Sequence, residues 1–270
     1  MTYCIALKLD AGLIFASDSR TNAGVDQVAC FRKMRQFSRT GDRCIVILSS
    51  GNLSITQSAV NLLEQRGQQL DGPHLWNATS LFDIALMLGE CMREVRERDG
   101  PWLLQSHVDM GANFIVGGQI GYEDPRLFMI YSEGNFIEAT ESTPFFQIGE
   151  TKYGKPIIDR VIHAGTSLME AVKCVLVSFD STMRSNISVG MPIDLACYQN
   201  HSLRLDQVYH IASGDAYFNA ISQRWSEGLR GVFSSLPDPD WECNPAYRQS
   251  DLDLHHPSVS TLPAPGDADV

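Results

Sequence analysis

The apolar pattern of this chain switches repeatedly between a period of two and a period near 3.6, and that alternation limits the folds open to it. Tyr3 to Leu9 and Leu13 to Asp18 are apolar runs joined by Asp10-Ala11-Gly12, a strand-turn-strand signal that returns the chain beside its own start. In Phe31 to Phe37, alternation places Phe31, Lys33, Arg35 and Phe37 on one face, and Cys44 to Asn52 is an apolar strand ending in small residues. Helical spacing then takes over at Ile55, Ala59, Leu62 and Leu63, and again at Leu81, Phe82, Ala85, Leu86, Gly89, Met92 and Val95. Leu70 to Ala78 reads as the link between these helices, with Thr79 as the cap of the second. Residues 111 to 148 return to short strands at Asn113 to Val116, Arg126 to Tyr131 and Phe136 to Ala139, expected to form an antiparallel meander. Two more helical patterns follow, at Ile157 to Ile162 and Leu168 to Leu176. Strands at Ile193 to Tyr198 and Gln207 to Ala212 come next, then a last helix carrying Tyr217, Ile221, Trp225 and Leu229. Strands, two helices, strands, two helices, strands and a helix predict an α+β sandwich, two stacked sheets with helices outside.

A chain of 270 residues can bury a substantial core. From about Leu236 the composition shifts to Pro, Asp and Ser, ending Pro263-Ala264-Pro265-Gly266-Asp267-Ala268-Asp269. Such a stretch has too little apolar surface to order itself. The expected organisation is therefore one domain over residues 1–235 and a flexible tail over 236–270. A net charge of -11 with scattered lysines and arginines speaks against nucleic acid as a partner. No apolar run reaches membrane-spanning length and no secretory segment precedes Thr2, so a cytoplasmic location is expected. The seven cysteines, spread from Cys4 to Cys243 without a CxxC pair, fit reduced core residues. His255-His256 falls in the tail and the other histidines lack ligand spacing, so neither a metal nor a cofactor is expected.

The chemistry concentrates at the start. If Met1 is trimmed, as is usual before a small residue, Thr2 carries a hydroxyl and a free α-amine on one residue. An amine titrating near ~8 can take the hydroxyl proton at neutral pH. By itself Thr2 reads as an ordinary strand residue, since many proteins begin Met-Thr. Pairing of Leu13 to Ala16 with Tyr3 to Leu7 brings Asp18 to the strand end near Thr2. Lys33, facing an otherwise apolar side, needs a partner if buried, and Asp18 is the natural candidate. The ammonium would favour deprotonation of the threonine hydroxyl or the neighbouring amine.

Thr2, the stretch Ala16-Ser17-Asp18-Ser19-Arg20-Thr21-Asn22-Ala23-Gly24 and Lys33 resemble the opening of proteasome β-subunits and of HslV, which are N-terminal-nucleophile (Ntn) hydrolases. The Thr2 to Asp18 spacing matches that pattern, and the spacing to Lys33 is one residue short. Ala112 to Gly118 and Gln147 to Pro156 are similar, more narrowly, to the bacterial proteasome-like family Anbu, with the likeness spanning about residues 2 to 235. The resemblance implies a four-layer αββα sandwich in which Gly51 offers a backbone N–H to the oxyanion. Without it, Gly51 reads as a strand-to-helix turn. The resemblance also implies a specificity pocket walled by Thr21, Met34 and Ser50, with Asn22 offering backbone bonds to an extended peptide. The family's Gly-Ser-Gly loop corresponds to Gly149-Glu150-Thr151, which lacks the serine. Its supporting aspartate corresponds to Asp180, with Ser185 or Ser188 as the partner serine.

A threonine-type peptidase acting on peptide or protein substrates is the expected function, in a ring-like homo-oligomer whose contacts draw on the outer helices. An unfoldase partner is suggested by analogy with HslV, though no residue here identifies one. Two alternatives stand beside it. One is an Ntn amidase for a small amide or special peptide conjugate; the other is a catalytically weak peptide- or protein-binding scaffold, which Glu150 in place of serine favours.

Overall fold

The computed structural model describes residues 2–22, 28–69 and 71–239. The first hairpin forms as expected: β1 (Tyr3–Leu9) and β2 (Gly12–Asp18) pair antiparallel with Cys4 opposite Ser17 and Leu7 opposite Ile14. Phe31 to Phe37 does not form one strand. The chain makes a short ribbon, β3 (Arg20–Asn22) against β4 (Val28–Cys30), leaves strand geometry at Phe31 to Lys33, and resumes as β5 (Met34–Arg39). Phe31 is therefore exposed whereas Lys33 is buried, and alternation alone could not separate them. Next come β6 (Arg43–Gly51), α1 (Leu53–Arg66) and α2 (Leu81–Gln105). The cap of α2 is Ser80, one residue beyond the expected Thr79. Its hydroxyl accepts from Asp83 N, and the Asp83 carboxylate accepts from Ser80 N, closing a capping box.

The second half supplies β7 (Ala112–Ile120), β8 (Arg126–Ile130), β9 (Phe136–Glu138), β10 (Phe145–Gly149), α3 (Lys155–Val161), α4 (Leu168–Ser185), β11 (Ile193–Gln199), β12 (Gln207–Ile211) and α5 (Ala216–Ser235). Two five-stranded antiparallel sheets result, ordered β10-β1-β2-β11-β12 and β5-β6-β7-β8-β9. The expected meander of three runs forms, and a further strand that the sequence reading did not single out follows it. β7, β8 and β9 continue the second sheet, whereas β10 crosses to pair with β1, Tyr3 lying opposite Gly149.

Alternation within each strand assigns its side chains to layers. Cys4, Ala6, Leu13 and Phe15 face inward onto Val46, Leu48 and Ile115 of the other sheet. Ile5, Leu7, Ile14 and Ala16 face outward and are covered by Val175, Leu176 and Phe179 of α4. On the far side, Ile45, Ile47 and Val116 carry Leu63 of α1 and Leu88 and Met92 of α2. Each sheet is therefore apolar on both faces, which only a helix-sheet-sheet-helix stack can bury. This is the expected αββα sandwich. The chain divides by compactness between Ser226 and Glu227, within α5. Beyond that point residues 227–239 are described and continue α5 to Ser235. Residues 240–270, which hold most of the expected tail, lie outside the described residues. Among the described residues no helix is long and apolar enough to cross a membrane.

Candidate active site

Thr2 sits at the end of β1, a strand flanked by β10 on one side and β2 on the other. The next residue places the first carboxylate: Tyr3 N donates to Asp18 Oδ1 at 3.0 Å, because the hairpin register brings the end of β2 level with the start of β1. Lys33 Nζ donates to the same oxygen at 2.7 Å and to Arg20 O at 2.6 Å. Both side chains of the pair are buried. Burial is the largest influence on Asp18 and pushes its carboxyl above the usual range, against the Lys33 ammonium and the Tyr3 and Gly190 N–H groups, which favour the anion. Gly190 N approaches Asp18 Oδ2 at 3.4 Å.

Lys33 is held in register by β6. Ser49 N donates to Lys33 O at 3.0 Å, and Cys4 Sγ donates to Ser49 O at 3.5 Å. The end of β6, Ser49-Ser50-Gly51, is thereby fixed beside both Lys33 and the start of β1. Gly51 has φ +100, and a Cβ there would stand 2.1 Å from Gly111 O, so the conformation excludes other residues. Burial pushes the Cys4 thiol far up, which leaves it a poor competing nucleophile. Tyr3 is fully buried; its hydroxyl lies 2.9 Å from Ser178 Oγ of α4 and accepts from Gln147 Nε2 of β10 at 2.7 Å. Burial pushes this phenol up as well.

The third wall is the turn after β10. Glu150 N donates to Thr2 O at 2.6 Å. Gly149, at φ +85, permits that approach, since a Cβ there would stand 2.0 Å from Thr2 O. The Glu150 side chain is buried, its Oε2 accepting from Asn186 Nδ2 at 2.9 Å and its Oε1 from Lys152 N at 3.1 Å. Asn186 begins the loop after α4, and the same loop supplies Gly190 to Asp18 and Pro192 O to the Ser19 hydroxyl at 2.8 Å. Arg20 Nη1 anchors it by donating to Ile187 O at 2.9 Å.

The structure thus brings Asp18 and Lys33 together beside Tyr3, the residue after Thr2, with Gly51 at the neighbouring strand end. Asp180 is buried on α4, and its Oδ2 accepts from Arg184 Nε at 3.1 Å. Ser185 is exposed at the last position of that helix. The described hydrogen bonds join neither residue to Thr2, Asp18 or Lys33. Of the expected pocket residues, Met34 and Ser50 are each 4% exposed, Met34 within the inter-sheet layer and Ser50 opposite Asn113. Thr21 and Asn22 lie in β3, and their side chains fall outside the described residues. Asn186 and Gly190 were missed by sequence reasoning. The only hint was the turn-rich run Ser185-Asn186-Ile187-Ser188-Val189-Gly190 after a long amphipathic helix. Among the described residues no group of three or more His, Cys, Asp or Glu could hold a metal ion.

No family model matches the chain, and none of the curated proteins does. Solved structures match it closely. Anbu (ancestral β-subunit) from Yersinia bercovieri is 48% identical with a TM-score of 0.83, covering 88% of this chain and 98% of that one. Anbu from Hyphomicrobium sp. strain MC1 is 46% identical with a TM-score of 0.82, covering 88% and 99%. Anbu from Pseudomonas aeruginosa, solved as a helical assembly, is 49% identical with a TM-score of 0.85, covering 90% and 100%. With the αββα stack and the Asp18–Lys33 pair beside the head of β1, these identities establish that this chain belongs to the Anbu family of proteasome-like Ntn hydrolases.

Proposed function

We propose that this protein is a threonine-type hydrolase that cleaves peptide bonds through Thr2 after removal of Met1. The observation that carries the reading is the buried Lys33–Asp18 pair, 2.7 Å apart, whose carboxylate is bonded to the N–H of the residue following the nucleophile. Burial of such a pair costs desolvation that a hydrophobic pair would avoid, so its retention beside Thr2 supports a chemical role.

In the proposed reaction the Thr2 hydroxyl attacks the substrate carbonyl carbon while its proton passes to the α-amine of the same residue. The resulting oxyanion accepts from Gly51 N–H. Collapse breaks the C–N bond, the amine returns its proton to the departing nitrogen, and an ester to Thr2 remains. Water, deprotonated by the same amine, cleaves that ester and restores the hydroxyl. Lys33 lowers the cost of the developing alkoxide by its charge, and Asp18 fixes Lys33. Thr21, Met34 and Ser50 are proposed to border the substrate side chain, and Asn22 to bond its backbone. Asp180 and Ser185 are left out of the amine's support, given the bond of Asp180 to Arg184 and the exposure of Ser185.

Homo-oligomerisation through the outer helices is part of the proposal, supported by the helical assembly of the Pseudomonas aeruginosa relative. The catalytic domain is taken to end with α5 at residue 235, leaving 236–270 as a tail.

The test is intact mass of the purified protein before and after a peptide epoxyketone, which reacts with both the hydroxyl and the amine of an N-terminal threonine. Loss of Met1 and a single adduct, absent from Thr2→Ala, is the expected result. Retained Met1 would block the amine and overturn the reading in favour of a binding scaffold.

A further inference from the structure

The turn after β10 contains a buried carboxyl group that forms no ion pair among the described residues. Glu150 is 6% exposed, and both its carboxylate oxygens are bonded to neutral donors, the Asn186 amide and the Lys152 backbone N–H. Among the described residues no lysine, arginine or histidine forms an ion pair with it. A buried carboxylate without a counter-charge is costly, so a partner is expected close by.

The strand register says where. β1 and β10 pair antiparallel out to Tyr3 opposite Gly149, and one step further Glu150 N donates to Thr2 O at 2.6 Å. Glu150 is therefore the residue directly across from Thr2. Removal of Met1 moves the chain's α-ammonium onto Thr2 itself. We propose that the Glu150 carboxylate, held in place by Asn186, is the counter-charge that positions the Thr2 α-amine. This inference rests on the hydrolase reading for its consequence, since the amine is the base of that mechanism, and it makes Glu150 a positioning residue in the place where related enzymes carry a serine hydroxyl. A carboxylate orients the amine more strongly than a hydroxyl and also favours its protonated form.

Among the described residues, the other charged groups near this turn have partners of their own or are exposed, Lys152 being exposed. Asp18 of β2 and Lys33 before β5 offset each other, Arg20 of β3 donates to Ile187 O, and Asp180 of α4 is paired with Arg184. Loss of the Glu150 charge should therefore reach the amine unbalanced.

The experiment measures the amine itself. The pH dependence of acetic anhydride acylation at Thr2, read by mass spectrometry, gives the amine pKa in the wild type, Glu150→Gln and Asn186→Ala. Expected is a fall of about one unit in Glu150→Gln, a smaller fall in Asn186→Ala, and a matching move of the acid limb of kcat/KM to lower pH. An unchanged amine pKa in trimmed, folded Glu150→Gln overturns the inference alone. If that variant fails to fold, an unchanged value in Asn186→Ala does so. Met1 retained on the wild type overturns the hydrolase reading and this inference together. A shifted amine in a protein that cleaves no peptide upholds the counter-charge and removes the hydrolase reading.

Discussion

Lys33 Nζ and Asp18 Oδ1 lie 2.7 Å apart in a site where both side chains are buried, and the carboxylate is also bonded to Tyr3 N. The pair therefore ties the proposed site to the folding of the hairpin. Lys33→Ala, the obvious test of activity, leaves Asp18 as an uncompensated buried charge and should cost about 3–5 kcal/mol of stability. The double variant Asp18→Asn with Lys33→Met should regain most of that loss while remaining unlabelled by epoxyketone. Denaturant melts of the single and double variants check the first part. A double variant no more stable than Lys33→Ala would refute it.

Gly51 is expected to be irreplaceable for backbone reasons alone. Its φ of +100 and the 2.1 Å approach of a Cβ to Gly111 O should make Gly51→Ala less stable by about 1–3 kcal/mol. The variant should also lose threonine labelling, as the N–H moves with the backbone. Equal stability in urea would show that the β6–β7 junction relaxes more easily than its geometry indicates.

The cap of α2 separates two neighbouring hydroxyls. Ser80→Ala removes the acceptor for Asp83 N and should cost about 1 kcal/mol, the usual value of a side-chain cap. Thr79→Ala loses only an exposed bond to Asp83 Oδ2, worth a few tenths by the same comparison. Melting curves that rank the two the other way would place the cap at Thr79.

Arg126 donates to both oxygens of Glu138, at 2.8 and 2.6 Å, joining β8 to the residue that ends β9. That bonding holds the Glu138 carboxyl below its ordinary range. A lowered acid contributes stability above its unfolded value, about 4.3, and loses it as pH falls through the depressed one. Glu138→Gln should therefore be less stable than wild type at pH 7, by no more than about 1 kcal/mol for so exposed a pair, and the difference should close in acid. A gap that persists below pH 3 would mean that packing rather than charge is lost.

The sequence made the layers legible because each strand is apolar on alternate residues, and both alternations are filled. It also made the Asp18–Lys33 pair legible, since a lysine on an otherwise apolar face needs a partner if buried. Where it failed, the cause was long-range pairing. Phe145 to Gly149 was not singled out as a strand, and nothing in it says that it pairs with β1. Without that pairing Glu150 cannot be placed across from Thr2, and Glu150 read as a missing serine rather than a buried carboxyl group. Asn186 was hidden for the same reason: its partner is distant in sequence, and the more conspicuous Asp180, whose Oδ2 accepts from Arg184, drew attention instead.

Chain ends ordinarily fray, but here the first strand is hydrogen-bonded along both edges, to β10 and to β2. Its amide protons can meet solvent only when one of those neighbours detaches. In deuterium oxide, residues 3 to 9 should accordingly be among the slowest to exchange, at rates set by opening of the whole sheet. The proposed nucleophile would thus stand at the head of a strand that can loosen only together with its neighbours.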